Sequence, residues 1–237
     1  MYFRADDKGN PDFTRPLSQL EHVEAYWDSA DDDPTSLADL YLNFHDFDRI
    51  EFLLFKDRLS AAILIARSAG KAISRLQDRF EQERQDGSHR VPGWEAESDL
   101  VLEESLGVVQ DAQGIAVGAA ILSAVAALEL LLKELSASTG KRRGLDQSLR
   151  DLLAQQNASS DETKRIIEMV SRVRRRRNAF AHSLTGSYWD APTAEDMFTP
   201  ESMEDTLFTV AKIAVALEAL IDATRQAATG PGAVQQP

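Results

Sequence analysis

The chain has 237 residues, with 26 Lys+Arg against 39 Asp+Glu and a formal net charge of −13. It has no cysteine, which excludes a disulfide scaffold, thiol catalysis and every cysteine-ligated zinc or iron–sulfur site. Only 12 Gly, 8 Pro and 7% aromatic residues argue against an all-β sandwich or barrel, and the acidity argues against a general nucleic-acid-coating protein.

The start, Met1 to Asp7, has no basic stretch followed by an apolar run, so no secretory signal is read and a cytoplasmic protein is expected. Residues 1–95 form an N-terminal region of mainly helical character and unassigned role. Within it His22, His45 and His89 stand isolated, without a second histidine or paired carboxylates at ligand spacing. Asp31-Asp32-Asp33-Pro34 reads as a solvated turn, since the rest of a calcium loop is missing. No phosphate-cradling glycine loop, nucleophile elbow or His-Glu-x-x-His is present, so neither a metal nor a cofactor is expected.

Leu59, Ala62, Ile63, Ala66, Ile73, Leu76 and Phe80 recur at three- and four-residue spacing and predict a helix from Phe47 or Lys56 to Gln85. Gln85-Asp86-Gly87-Ser88 and Val91-Pro92-Gly93 break it. A long helix follows from Ser98 to Leu135, with a bend expected near Gly107 or Gly114. Its uncharged stretch, Ala112 to Leu128, falls just short of the about 20 residues that span a bilayer. Its flanks carry acids and no aromatic belt, so a buried bundle helix is expected and no membrane contact. A shorter helix is predicted over Leu145 to Gln156. Ser159 with Glu162 forms a capping box that starts the next, which runs to about Leu184. A loop to Pro200, a last helix from Glu201 to Ala228 and a tail over 229–237 complete the chain. The fold class is all-α, and residues 98–228 read as one helical bundle.

Between Lys141 and His182 the charge reverses: 11 basic residues against five acidic ones, which leaves −19 for the rest of the chain. Inside this window lies Arg172-Val173-Arg174-Arg175-Arg176-Arg177-Asn178-Ala179-Phe180-Ala181-His182. At about 100° per residue Arg177 falls in the middle of the apolar stripe formed by Ile166, Val170, Val173, Phe180 and Ala181. Arg175 and Arg176 fall on the opposite, solvent-facing side. Asn178 and His182, four residues apart, share one edge of the stripe. An unpaired guanidinium on that stripe is costly to bury, so Arg177 needs a partner or a ligand. By composition, an Arg-x4-His pair arises by chance about 0.3 times, and with Asn after the Arg about 0.005 times.

Arg177-Asn178-Ala179-Phe180-Ala181-His182 resembles the Arg-x(4–6)-His motif of the HEPN superfamily, in its form with Asn after the Arg. The order of elements from Ser98 to Ala228 resembles that family too: a long Ala- and Leu-rich helix with an internal acid at Glu129, a shorter helix, the motif helix and a closing helix. The resemblance implies a helical bundle that forms a homodimer with a composite site. It implies a metal-independent endoribonuclease of the toxin, abortive-infection or phage-defence kind, or else a non-catalytic module that binds RNA, a nucleotide or a protein. Toxins of this family whose antitoxins are nucleotidyltransferases often carry a Tyr two residues after the His. Leu184 stands there in this chain, so control by that modification is not implied.

On the catalytic alternative, His182 exchanges protons near neutral pH and Arg177 holds phosphate oxygens as charge builds. Asn178 then orients the histidine or the substrate. Glu129 supports the site by pairing with Arg177 or with His182, or else only pairs with Lys133 on its own helix. Arg174, Arg175, Arg176, Lys141, Arg142 and Arg143 are the candidate contacts to the backbone of RNA, tRNA among the substrates. An antitoxin or sensor protein is the expected further partner.

Overall fold

The computed structural model describes residues 3–5, 11–16, 33–136, 145–156, 158–185 and 198–228, with side chains described outside residues 3–16, 145, 181–185 and 228. Five helices carry the fold: α1 Ile50–Asp86, α2 Glu95–Leu135, α3 Leu145–Gln155, α4 Ser160–Thr185 and α5 Pro200–Ala228. The chain is all-α in class. The strands among the described residues are a short antiparallel ribbon of β1 Phe3–Ala5 and β2 Pro11–Pro16, where the sequence pattern suggested helix. Pro11 and Pro16 stand at the two ends of β2, where a missing N–H costs the ladder least.

Helices α1 and α2 form a long antiparallel hairpin. Arg58 reaches Glu134 (3.5 Å) at one end, and Arg90 reaches Asp99 (2.8 Å) at the other. Helix α1 stops at Gly87, whose φ of 70° is the left-handed conformation that glycine adopts without a Cβ penalty. The predicted bend in α2 is not seen as a break: Gly107 and Gly114 lie inside one continuous helix of 41 residues.

One core joins all five helices. It holds Phe52, Phe55, Leu59 and Ile63 of α1 and Val117, Ile121, Leu128 and Leu132 of α2. Leu149 and Leu152 of α3, Ile166, Val170 and Val173 of α4, and Leu207, Val210, Ala214 and Leu217 of α5 complete it. The segment before α1 belongs to it as well, through Leu37, Tyr41, Leu42 and Phe47. That segment is tied down by Ser60, whose hydroxyl donates to the Thr35 carbonyl (3.2 Å) and accepts from the Ala38 amide (3.2 Å). The same core therefore spans the break at Gly87–Gly93. Beyond Ile63 and before Val117 the hairpin leaves the core as an arm, with Arg67, Leu102 and Val109 buried along it.

Helix α2 alone among the described residues is long and apolar enough to cross a membrane by length and composition, and 56% of its most apolar window is buried inside the protein.

Candidate functional site

The motif lies in the last third of α4. Ser159 caps this helix, its hydroxyl accepting from the Glu162 amide (3.3 Å), as the capping box requires. The apolar stripe seats it: Ile166, Val170, Val173 and Phe180 are all buried. Phe180 fits into a notch in α2 made by Gly118, where a methyl group would overlap the ring. Its other side meets Phe198 edge-on, with ring centroids 5.2 Å apart.

Arg177, placed on this stripe by its position, resolves the cost of burial through an ion pair. Its Nη1 donates to Glu129 Oε1 of α2 (2.5 Å), and its Nε donates to Asn178 Oδ1 (3.2 Å). The two charged side chains are 27% and 33% exposed, so the pair sits at the rim of the core and still meets solvent. Of the alternatives for Glu129, Arg177 is the partner found. Asn178 is exposed. His182 lies on α4 one turn beyond Asn178, and its side chain lies outside the described residues.

The neighbouring arginines are engaged inside the fold. Arg174 donates to Asp146 of α3. Arg176 donates to Asp205 Oδ2 (2.6 Å), the Ser202 carbonyl (3.2 Å) and Thr206 Oγ1 (3.0 Å) of α5. Arg172 donates to Thr209 Oγ1 (3.2 Å) and lies 4.0 Å from Asp205. Arg176, placed on the solvent side by its wheel position, is thus turned onto α5, because a long side chain reaches across the helix edge to an acid. Arg175 is exposed and has no ion-pair partner among the described residues. Lys141, Arg142 and Arg143 lie outside the described residues. The basic run therefore ties α4 to α2, α3 and α5, and next to the motif, among the described residues, it leaves Arg175 and the partly exposed Arg177 for an anion.

A second grouping was invisible in the sequence. His45 Nε2 lies 2.8 Å from Oε2 of the buried Glu218, 173 positions away. Oε1 of Glu218 has no hydrogen-bond partner among the described residues. His45 borders a cleft of about 960 Å³ walled by Tyr41, Ile166, Met169, Phe208 and Val215, with Arg165 and Lys212 at its edge. Asn43 and Phe44, on the loop along this cleft, have φ of 54° and 55°, a conformation bulky side chains rarely take. This cleft does not include the motif on α4. No cluster of three or more His, Asp or Glu placed to hold a metal ion occurs among the described residues.

His89 is likewise engaged. Its Nδ1 faces the Glu83 carbonyl (2.8 Å) and its Nε2 faces Asp99 (2.8 Å), so both ring nitrogens meet acceptors, an arrangement that favours the imidazolium. The Glu83 carbonyl and then the Asp99 carboxylate raise its pKa above the ordinary histidine value. Hydrogen bonds from Arg90 and then His89 hold Asp99 at about 2.

Comparison of the chain with protein-family models, with curated proteins and with solved structures finds no match.

Proposed function

We propose that the chain is a HEPN-type endoribonuclease, of the toxin or phage-defence kind, that cleaves RNA without a metal. The observation that carries this reading is the Arg177–Glu129 pair. It holds a guanidinium at the rim of the core, beside Asn178, which lies one helical turn before His182.

The chemistry needs a base for the 2′-OH, a cation for the crowded phosphorane and an acid for the leaving 5′-oxygen. In the reaction the 2′-oxygen forms a bond to phosphorus, the P–O5′ bond breaks, and a 2′,3′-cyclic phosphate remains. His182 takes the 2′-OH proton or donates to the leaving oxygen, and Arg177 stabilises the charge on the non-bridging oxygens. Asn178 orients one of these groups through its amide. A motif carries one histidine, so a second copy supplies the second proton-transfer group, and the working unit is a homodimer with a composite site. Arg175 and the Lys141–Arg143 stretch steer the RNA backbone, and an antitoxin or sensor protein restrains the activity.

A second reading is a non-catalytic module that binds RNA, a nucleotide or a protein partner, and it is supported by the internal acceptors of Arg172, Arg174 and Arg176, which give the basic run a structural role without catalysis. Incubation with total tRNA and an RNA panel in EDTA separates the two. The ribonuclease reading expects cleavage that Arg177→Ala and His182→Ala each abolish. The binding reading expects intact RNA and a complex weakened by Arg175→Glu.

A further inference from the structure

The arm of the α1/α2 hairpin carries an apolar stripe that nothing among the described residues covers. Trp94, at the start of α2, and Val101, Val108, Ile115 and Leu122 along it are between 38% and 68% exposed. They recur every seven residues. A heptad repeat keeps one line of side chains in register with a neighbouring helix over its whole length. Here that line covers about 42 Å at 1.5 Å per residue. The residues four further on, Ser98, Ser105, Ala112 and Ala119, are small and half-buried, so a second helix can approach closely between the larger side chains.

The stripe also continues onto α1. At about 100° per residue, the exposed Ile65 and Leu76 lie a quarter turn from the side of α1 that faces α2. The α2 stripe is offset from α1 by a quarter turn in the same sense. In an antiparallel hairpin, equal offsets open onto one common face. A hairpin with one apolar face is half of a four-helix bundle.

Charge selects the occupant and its direction. Residues 95–104 of α2 carry five acids and no base, while Ala112 to Leu128 carry no charge at all. A second copy laid parallel would set the five acids against the same five. Laid antiparallel about Val108, it sets each acidic half against the partner's uncharged half and aligns all five stripe residues. The acids flanking the stripe also oppose insertion into lipid.

We infer that a second copy of this chain docks antiparallel along the Trp94–Leu122 stripe, with the two-fold axis at Val108. This does not rest on the ribonuclease reading. The axis places the two Gly118 notches about 30 Å apart along the helices, so the arms meet here and a composite site would need a separate contact between copies at the motif.

The absence of cysteine makes the test clean, since any introduced thiol reports alone. Under mild oxidation, Val108→Cys is expected to give a covalent dimer. Val101→Cys and Ile115→Cys each remain monomeric on a denaturing gel, yet cross-link to one another when mixed. In light scattering, Val101→Glu with Val108→Glu is expected to halve the molar mass of the wild type and leave the helical circular dichroism unchanged. Cross-linking at none of the three sites, at all three alone, or at Ile115 in place of Val108 would overturn the proposal. So would a mass unaffected by the double variant, or a monomer that floats with phosphatidylcholine vesicles.

Discussion

At Gly118 the close approach of two helices rests on one missing methyl group. The Phe180 ring occupies the space that a Cβ would take, and the ring is itself buried against Phe198. Gly118→Ala is therefore expected to cost about 1–3 kcal/mol, the range for overpacking a filled core. Urea unfolding checks this, and adding Phe180→Leu should recover part of the loss, because the two sites share one volume. Arg177 behaves differently. Its pair with Glu129 is about a third exposed, where such pairs are worth at most about 1 kcal/mol. Arg177→Ala should stay folded, with a melting temperature within a few degrees of wild type, while any RNA cleavage falls at least about a hundredfold. The position of Arg177 on an apolar stripe was legible in the sequence, because a 3.6-residue period fixes which side chains share a face. Its partner was one of several possibilities, and the acceptors of Arg172, Arg174 and Arg176 were not legible. They lie 26 to 37 positions away on other helices, and only packing brings them near. His45 and Glu218 are the extreme case, with nothing in local spacing to link them.

Among the elements, the tip of the α1/α2 hairpin holds the clearest dependence on pH. Arg90 and His89 share the Asp99 carboxylate across the turn. Asp99, held at about 2, contributes stability above the ordinary carboxylate range near 3.8, and this is lost as pH falls toward 2. His89, with a raised pKa, contributes fully below about 6.5, and this is lost as pH rises through its folded value. The clasp is thus firmest between about pH 4 and 6.5. Amide exchange at residues 88–98, corrected for intrinsic rates, should show its greatest protection in that window. His89→Gln should remove the high-pH limb and leave the low-pH one. The helices themselves were largely legible: the capping box at Ser159, the stop at Gly87 and the core stripe of α5 all come from local chemistry. The β ribbon over residues 3–16 was not, because six residues bounded by prolines carry too little pattern to outweigh the helical context.

Over the whole molecule, a net charge of −13 divides into a basic window of +6 and a remainder of −19. Three arginines of that window are tied to acceptors within the fold, so its capacity for phosphates is smaller than its composition suggests. Arg175, Arg177, Lys141, Arg142 and Arg143 remain as candidate contacts. Releasing about 0.7 counterions per contact on a single strand, five contacts give a slope of log affinity against log salt no steeper than about −3.5. A filter-binding series with inactive His182→Ala protein measures it, and a slope near −6 would mean that phosphates reach beyond these five, either to Arg150, Lys164 and Arg165 or to the tied arginines. The central claim is that Arg177, Asn178 and His182 form a site that cuts RNA without a metal. The most direct measurement is the end-group chemistry of tRNA incubated with purified protein in excess EDTA. The wild type is expected to give fragments ending in 2′,3′-cyclic phosphate, and Arg177→Ala or His182→Ala proteins of wild-type helicity none. Intact tRNA with the wild type, or equal cleavage by either variant, would contradict it.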